Sequence, residues 1–328
     1  MKIYIFTEGG TSMGFGHITR CISLYQAFLS KGYSPIFLVN ADHTANKILK
    51  EVNHKVVNWT KQNELFNTLK LSNQDIAIID SYLAPKSVYT KIAELVKLTV
   101  CFDDYNRINY PEGIIINAAI NSKKTDYAKE ELTYLLGNSY IALRQIFWDV
   151  PKKIIKQNIE TVLVTFGGSD DNGLTSGVLK FLVRNYPLIK KIVIVGAAFT
   201  NKKEIELPND KTITILKSPS VEKIHDAMRK ADVAISAGGQ TINELARNGV
   251  PTIAFVSNPS ERSNILGWQQ SGFAICEGSS ANFVPKKLEN FFKVLAKGDE
   301  RRLRSIIGQK MCDGKGALRI ISRIFNNY

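Results

Sequence analysis

A glycine-rich segment near the start of the sequence separates an apolar run from an amphipathic one. Residues 3–6 are apolar and have the composition of a buried strand, and residues 7–13 are rich in turn formers. Gly14-Phe15-Gly16-His17 follows, and apolar residues then recur at helical spacing over residues 18–29. A strand that runs through a glycine loop into a helix is typical of α/β folds with parallel sheets.

The residues of this loop predict an anion site with a base beside it. Gly14 and Gly16 let the backbone approach a ligand closely, and the first helical turn offers unpaired N–H groups and the positive end of the helix dipole. The same dipole disfavours an imidazolium, so we expect His17 to stay neutral and to accept a proton near pH 7. A histidine between glycines can also cap the helix or pack in the loop. Arg20 is either the partner of a phosphate or carboxylate or a solvated helix charge.

A parallel sheet is predicted in each half of the chain, because strands and helices continue to alternate and the alternation restarts after a linker. The predicted strands are residues 3–6, 36–39, 76–79, 98–102, 113–116 and 139–144, and then 161–166, 191–196, 212–216, 233–236 and 251–255. The predicted helices are residues 18–29, 44–52, 64–71, 87–97, 174–185, 221–230, 285–296, 299–309 and 316–325, with others starting at Asp126, near Gln240 and around Leu266. Residues 149–158, with Pro151 and several lysines, are interpreted as the linker.

Polar residues follow several predicted strands of the first half, as in Asp80-Ser81-Tyr82, Asp103-Asp104-Tyr105 and Asn117. In an open parallel sheet this edge faces the ligand crevice. Carboxylates there can bind a metal, transfer protons or hydrogen-bond a sugar. Because Asp103 and Asp104 are adjacent, their side chains should point in different directions, and one of them can simply cap the following turn.

The second half has glycine loops of its own at strand ends. Gly167-Gly168-Ser169-Asp170 follows one predicted strand, and Ser236-Ala237-Gly238-Gly239-Gln240 joins another to a helix. Exposed N–H groups at the start of that helix can hold a diphosphate, and Glu244 can accept hydrogen bonds from ribose hydroxyls or be an ordinary exposed helix acid. Asn258 again follows a strand. Neither loop contains Gly-Lys-Ser or Gly-Lys-Thr, so ATP hydrolysis is not expected.

Length and composition are those of a two-domain globular protein. The 328 residues fit two domains of about 150 each, and 44% are hydrophobic. The four cysteines lack the paired spacing of a zinc site and fit buried thiols in a reducing compartment. No membrane-spanning apolar run and no signal peptide is visible, so we expect a cytoplasmic protein without stable membrane insertion. The net charge of +13 suits an acidic small substrate, and no nucleic-acid motif accompanies it.

Seven segments, in one order along nearly the whole chain, carry a resemblance to a known family. They are Gly14-Phe15-Gly16-His17-Ile18-Thr19-Arg20, Ile79-Asp80-Ser81-Tyr82, Phe102-Asp103-Asp104, Leu143-Arg144, Phe166-Gly167-Gly168-Ser169-Asp170, Ile235-Ser236-Ala237-Gly238-Gly239 with Asn243-Glu244, and Asp313-Gly314-Lys315-Gly316-Ala317. The sequence resembles the UDP-2,4-diacetamido-2,4,6-trideoxy-β-L-altropyranose hydrolases of pseudaminic-acid (nonulosonic-acid) biosynthesis and the related spore-coat polysaccharide proteins. These are similar in turn to the UDP-GlcNAc transferases of peptidoglycan synthesis.

The resemblance implies an α/β protein with the GT-B fold, in which two Rossmann-like domains face each other across a cleft. Residues 1–150 would form the sugar side, residues 151–315 the UDP side, and residues 316–328 a helix that packs back on the first domain. His17 would activate a water that attacks the anomeric carbon and displaces UDP with inversion, with no metal or cofactor. The implied sugar and phosphate contacts are Gly14, Gly16, Arg20, Tyr82, Asp104 and Asn258, and the implied UDP contacts are Gly167, Gly168, Ser236, Gly238, Gly239, Gln240 and Glu244. We expect a monomer whose partner is the small-molecule UDP-sugar.

One segment departs from the family pattern and leaves the sugar open. The hydrolases usually carry Asp-Ala-Ser or Asp-Ser-Ser before the glycine motif, where this chain has Thr7-Glu8-Gly9-Gly10-Thr11-Ser12. Because that segment should lie close to the sugar, the substrate can differ from the pseudaminic-acid precursor. An inverting glycosyltransferase, in which His17 deprotonates an acceptor hydroxyl, is the main alternative, and a sugar-nucleotide binding protein without turnover is another. A dinucleotide oxidoreductase is disfavoured, because Thr19 stands where the fingerprint requires a third glycine.

Overall fold

The chain forms two parallel sheets in a computed structural model that describes residues 1–11, 13–61, 66, 68–123, 126–127, 132–168, 170, 172–196, 199, 210–279 and 284–328. Contacts divide it into two compact units. The first unit is Met1–Gln145 together with Lys315–Tyr328, and the second unit is Ile146–Gly314. The second unit is therefore inserted, in sequence, between two parts of the first.

The sheet of the first unit is built around its first strand. Its strands are β1 Ile3–Gly9, β2 Ile36–Ala41, β3 His54–Val56, β4 Ile76–Asp80, β5 Leu98–Phe102, β6 Ile114–Asn117 and β7 Thr133–Leu136. Over the residues described here they lie in the order β3-β2-β1-β4-β5-β6-β7, and every neighbouring pair is parallel. β1 is buried along its whole length, as is usual for a parallel strand covered on both faces. The order reverses between β1 and β4, and the carboxyl ends at such a switch point are where ligands bind.

Helices α1 Gly16–Leu29, α2 Lys86–Leu95 and the C-terminal helix α9 Gly316–Asn327 belong to this unit. α9 packs on α1, and the Phe325 ring lies 6.0 Å from that of Phe28 and 4.8 Å from that of Tyr33. Gly316 allows the close approach at the start of α9, since a Cβ there would lie 2.1 Å from the carbonyl oxygen of Ile141. Large side chains, among them Tyr4, Phe6, Trp59, Phe66 and Tyr89, fill a core cluster of this unit. The two ends of the chain thus complete one unit.

The second unit repeats the same architecture. Its strands are β8 Thr161–Thr165, β9 Lys190–Val195, β10 Ile213–Lys217, β11 Val233–Ala237, β12 Thr252–Val256 and β13 Ala274–Ser279. Within the described part of this unit they lie in the order β10-β9-β8-β11-β12-β13, again with parallel neighbours. The helices are α3 Leu174–Asn185, α4 Val221–Lys230, α5 Gln240–Arg247, α6 Arg262–Gln270, α7 Pro285–Ala296 and α8 Gly298–Met311. Here the strand order reverses between β8 and β11, which places the second switch point at the glycine loops.

Most predicted elements are present close to their predicted bounds, but two predictions are wrong. In place of the strand predicted at residues 139–144, the structure has the 3₁₀ turn Asn138–Tyr140. The last strand of the first unit, β7, ends at Leu136, and Gly137 at φ 89° turns the chain away from the strand direction. The helix predicted at residues 44–52 is reduced to the 3₁₀ turn His43–Lys47. Strands β3, β7 and β13 were not predicted. The predictions of a helix at residues 64–71 and of one starting at Asp126 lie partly outside the described residues.

The segment interpreted as a linker is bound along the second unit. The Lys153 ammonium donates to the carbonyl oxygen of Arg229 at the end of α4, at 2.5 Å. Buried Arg301 donates to the carbonyl oxygens of Lys156 and Gln157 at 2.8 and 2.9 Å. Among the described residues, no helix is long and apolar enough to cross a membrane.

Candidate functional site

The first switch point brings together charged side chains from three elements. His17 and Arg20 lie in the first turns of α1, Asp80 is the last residue of β4, and Asp104 follows β5. His17, Asp80 and Asp104 are respectively 8%, 1% and 24% exposed, the last counted for its side chain. The sequence predicted His17, Arg20 and Asp104 as site residues, and the structure places all three in one network.

His17 is held by a carboxylate. Its Nδ1 lies 2.7 Å from Oδ1 of Asp80. An ionised carboxylate only accepts hydrogen bonds, so Nδ1 carries the proton and Nε2 is left as the basic atom of the neutral ring. The Tyr82 ring packs edge-on against the imidazole with 4.3 Å between centroids. His17 is thus oriented on two sides and can accept a proton at Nε2.

Arg20 joins the two carboxylates. Its Nε and Nη2 donate to Asp80 at 2.8 Å each, and its Nη1 and Nη2 donate to Asp104 at 2.7 and 3.0 Å. The guanidinium carbon also lies 4.5 Å from the centre of the Phe102 ring. Of the roles predicted for Arg20, the structure shows the carboxylate partner and not the solvated helix charge.

The pKa of His17 is raised above its ordinary value of 6.5, opposite to our expectation. Burial by itself lowers this pKa, but the charge and hydrogen bond of Asp80 outweigh burial. The helix dipole places only a partial positive charge near the His17 ring, whereas Asp80 carries a full negative charge in direct contact with that ring. The pKa of Asp80 is depressed: burial raises it, and the charges of Arg20 and His17 more than reverse that effect. The network holds one cation and two anions, so a proton on His17 makes it neutral.

The adjacent residues Asp103 and Asp104 make different contacts. Oδ2 of Asp104 accepts a hydrogen bond from the Tyr82 hydroxyl at 2.6 Å. Burial, followed by the charge of Asp104, raises the pKa of Tyr82, so this phenol stays a neutral donor. Asp103 turns away and accepts the backbone N–H of Arg107 at 3.0 Å. The turn-capping alternative therefore describes Asp103, and Asp104 is the aspartate of the site.

The glycine loop before α1 closes on itself. Gly10 and Gly14 exchange backbone hydrogen bonds of 2.9 and 2.8 Å, and Gly14 has a φ of +72°, which favours glycine. Gly16 is the first residue of α1.

A separate cavity of about 460 Å³ in this unit is lined by Asn40, Asn58, Thr60, Lys61, Leu83 and Pro85. None of these residues is a predicted sugar contact.

Predicted UDP contacts in the second unit gather at its switch point. Gly167 and Gly168 follow β8, Gly238 and Gly239 join β11 to α5, and Gln240 is the first residue of α5. Ser236 is fully buried within β11, and its hydroxyl donates to the carbonyl oxygen of Ala237 at 2.9 Å. Ser169, part of the motif after β8, lies outside the described residues.

Glu244 is not the exposed helix acid that one alternative predicted. It lies in α5 and is 4% exposed. Its neighbour Asn243 accepts the indole N–H of Trp268 at 2.8 Å, which ties α5 to α6. The acid predicted for the ribose therefore lies buried on the helix that begins at the glycine pair.

A buried glutamate connects the two loops of this switch point. Oε2 of Glu261 accepts the hydroxyl and N–H of Ser257 at 2.7 and 3.1 Å and the N–H groups of Asn258 and Gly238 at 3.3 and 3.4 Å. Asn258 caps the 3₁₀ turn Pro259–Glu261 with its own carboxamide oxygen. Burial raises the pKa of Glu261 against these hydrogen bonds. The N–H of Gly238, a residue that the resemblance implied as a UDP contact, is thus already bonded to Glu261.

Sequence reasoning missed three acids of these sites: Asp80 as the partner of His17, Glu8 beneath the Tyr82 loop, and Glu261. Asn258-Pro259-Ser260-Glu261 has the spacing of a capping box, and that signal could have identified Glu261. Asp80 and Glu8 gave only the weaker signal of an acid at the end of an apolar strand. Over the described residues, no group of three or more His, Cys, Asp or Glu side chains is arranged to hold a metal ion.

Comparison with known proteins finds a glycosyltransferase family model and related sequences that match this chain. Residues 161–273 match the family model of the glycosyltransferase family 28 C-terminal domain. The chain is 30% identical over 277 residues to an uncharacterized protein of Methanocaldococcus jannaschii, a match that covers 80% of this chain but only 57% of that protein's length. It is 24% identical to the spore coat polysaccharide biosynthesis protein SpsG of Bacillus subtilis, over 100% of this chain and 99% of that protein.

Two further similarities are more distant in sequence. The chain is 21% identical to the UDP-2,4-diacetamido-2,4,6-trideoxy-beta-L-altropyranose hydrolase of Campylobacter jejuni, over 81% of this chain and 96% of that one. The crystal structure of Acinetobacter baumannii MurG superposes with a TM-score of 0.63 at 14% identity, covering 99% of this chain and 100% of that chain. The chain therefore has the GT-B fold, and its relatives support an enzyme of the glycosyltransferase-like, nucleotide-sugar-related type.

Proposed function

We propose that the chain is a hydrolase that releases UDP from a modified UDP-sugar of the pseudaminic-acid-precursor type. The observation that carries this proposal is the 2.7 Å hydrogen bond between Nδ1 of His17 and Asp80, which leaves Nε2 as a base. Similarity to the Campylobacter jejuni hydrolase supports the choice of reaction.

In the proposed reaction, Nε2 of His17 takes a proton from water while the water oxygen bonds to the anomeric carbon. The bond from that carbon to the diphosphate oxygen breaks, and UDP leaves with the bonding electrons. Attack from the face opposite the leaving group inverts the anomeric carbon. The proton gained by His17 makes the network of Arg20, Asp80 and Asp104 neutral overall. The network therefore stabilises the positive charge that develops on the His17 imidazole.

We propose that the second unit binds UDP and that the first unit supplies the base. The glycine loops and buried Glu244 support this assignment, as does the family 28 match over residues 161–273. Glu244 would accept the ribose hydroxyls, and the backbone N–H groups at the start of α5 would donate to the diphosphate. Within the proposal, Tyr82 and Asn258 lie near the sugar.

An inverting glycosyltransferase is the second candidate, and the family 28 match together with the MurG likeness favours it. His17 would then deprotonate an acceptor hydroxyl in place of water. The chemistry at Nε2 is the same in both cases, so the acceptor decides between them.

Phosphorus and proton NMR of the purified protein with UDP-2,4-diacetamido-2,4,6-trideoxy-β-L-altrose, with chelator and without acceptor, tests the proposal. We expect UDP and free sugar to appear, and His17→Ala to slow this by about 10²- to 10⁴-fold, the usual contribution of a general base. His43→Ala, in an exposed 3₁₀ turn, is the matched control and should keep full activity. UDP release only after an acceptor is added would favour the transferase. UDP binding without any conversion would eliminate the named substrate.

A further inference from the structure

Glu8 is a fully buried acid in a strand of mostly apolar residues. It is 0% exposed and lies next to the last residue of β1. Its Oε1 accepts the backbone N–H groups of Tyr82 and Leu83 at 2.5 and 3.0 Å, and its Oε2 accepts the Ser81 hydroxyl at 2.5 Å. A buried carboxylate is costly unless its oxygens are bonded in this way. The segment that departs from the hydrolase pattern therefore contributes an internal anchor at this position.

The anchored loop is fixed from several directions. The Ser81 hydroxyl also accepts the N–H groups of Leu83 and Ala84 at 3.1 and 2.9 Å. The Ser81 carbonyl oxygen accepts the Tyr89 hydroxyl at 3.1 Å. Glu8 adds the bonds that tie this turn to the end of β1, the strand that leads to the His17 loop. The backbone of Tyr82 consequently has a defined position relative to β1.

Tyr82 connects this anchor to the base. Its ring lies 4.3 Å from that of His17, and its hydroxyl donates to Asp104. The charged groups with the largest effects on the pKa of His17 are Asp80, Arg20 and Asp104. Tyr82, whose backbone N–H is held by Glu8, therefore gives Glu8 a direct route to the His17 ring.

We propose that Glu8 is a positioning residue for the reaction: by holding the backbone N–H of Tyr82 it fixes the Tyr82 ring against His17 and Asp104. This role rests on the proposed function of His17 as the general base. Its loss moves the ring without removing a group that contacts substrate. Glu8 therefore acts on kcat and on the titration of His17, and it affects substrate binding only through the position of Tyr82.

The test compares Glu8→Gln with Asp75→Asn. Asp75 is also buried and accepts a comparable set of bonds, from the N–H groups of Lys2 and Ser72 and from the Ser72 hydroxyl, but at the opposite end of β1 and β4. Both variants lose stability. We expect only Glu8→Gln to lower kcat, by about 10- to 100-fold as for a misplaced catalytic group, with a smaller change in KM. Equal kcat losses in the two variants, or a change in KM alone, would overturn the proposal.

A titration of His17 by carbon-13 NMR needs no substrate. We expect Glu8→Gln and Tyr82→Ala each to shift its midpoint in the same direction, and Glu8→Gln to cause no further shift in the Tyr82→Ala background. An unchanged midpoint in either single variant, or additive shifts, would contradict positioning through Tyr82. If wild-type protein does not hydrolyse the UDP-sugar, the proposed function fails, and this titration still decides the role of Glu8. If Glu8→Gln does not fold, Ser81→Ala removes one of the three bonds to Glu8 together with the bonds that the Ser81 hydroxyl accepts from Leu83 and Ala84. It should shift the midpoint in the same direction, and an unchanged midpoint would refute the positioning role.

Discussion

At the scale of single residues, the charge of His17 depends on side chains both close to it and distant from it in sequence. Asp80 lies 63 positions away and Arg20 three positions away, yet both act directly on the ring. A base must be neutral, so activity falls as the pH falls through the pKa of His17. Because this pKa is raised, the loss begins above pH 6.5. The bonds of protonated His17 stabilise the fold at low pH, and this contribution is lost as the pH rises through the same pKa.

Asp104→Asn should lower the pKa of His17, because the Asp104 carboxylate is one of the charges that raise it. The acid limb of the profile of kcat/KM against pH should therefore move to lower pH. Asp103→Asn is the matched control, since Asp103 bonds to the Arg107 backbone and should leave the limb in place. A limb that stays in place in Asp104→Asn, or that moves in Asp103→Asn, would show that the network does not set the charge of His17.

At the scale of secondary structure, periodicity predicted most strands and helices but not the contacts between their ends. The glycine motif identified His17 and Arg20 because both lie close together in sequence, in the first turns of α1. The pairing of His17 with Asp80 depends on β1 lying beside β4, which local sequence does not encode. β3 was missed because it has only three residues and two of them are exposed, so it lacks an apolar run. Ser236 shows a different limit: the family resemblance implied a UDP contact there, and only the structure shows that its hydroxyl, inside β11, donates to the carbonyl oxygen of Ala237.

Gly238→Ala tests the glycine pair that joins β11 to α5. A Cβ at Gly238 would lie 2.1 and 2.2 Å from side-chain carbons of Ile265, so either the loop or the Ile265 side chain must shift. We expect UDP binding, measured by calorimetry, to weaken by about tenfold, or about 1.4 kcal/mol. Trimming the opposing side chain in Gly238→Ala/Ile265→Ala should restore part of the affinity. Gly298→Ala, whose Cβ would meet its nearest neighbour at 3.9 Å, is the control. Unchanged affinity in Gly238→Ala would remove this loop from the proposed UDP site.

At the scale of the whole molecule, the two units have the same kind of sheet and different site chemistry. The first unit gathers charged side chains at its switch point, whereas the second presents glycine loops and a buried glutamate on a helix. The duplication was predicted from the restart of strand and helix after residue 158. A second switch point in the same relation to its sheet supports assigning the base to one unit and the nucleotide to the other.

Hydrogen exchange with and without UDP tests that assignment on the intact chain. At a UDP concentration about 100 times its Kd, binding stabilises the native state by about 2.7 kcal/mol. We expect the added protection around residues 236–244, which form the end of β11 and the start of α5, and around residues 257–261, which form the loop and 3₁₀ turn after β12. Protection confined to residues 1–145 would place UDP on the first unit and refute the proposed division of labour.

The discontinuity of the first unit has a consequence for how the protein is made. α9 packs on α1, but some 290 residues separate them, including the whole second unit. On the ribosome, domains fold as they emerge, and the second unit emerges as one uninterrupted segment. It can be complete while the first unit still lacks its last helix and leaves the Phe28 side of α1 uncovered. A chaperone that binds nascent chains would therefore meet the earlier-synthesised unit in its incomplete form for longer than the later one.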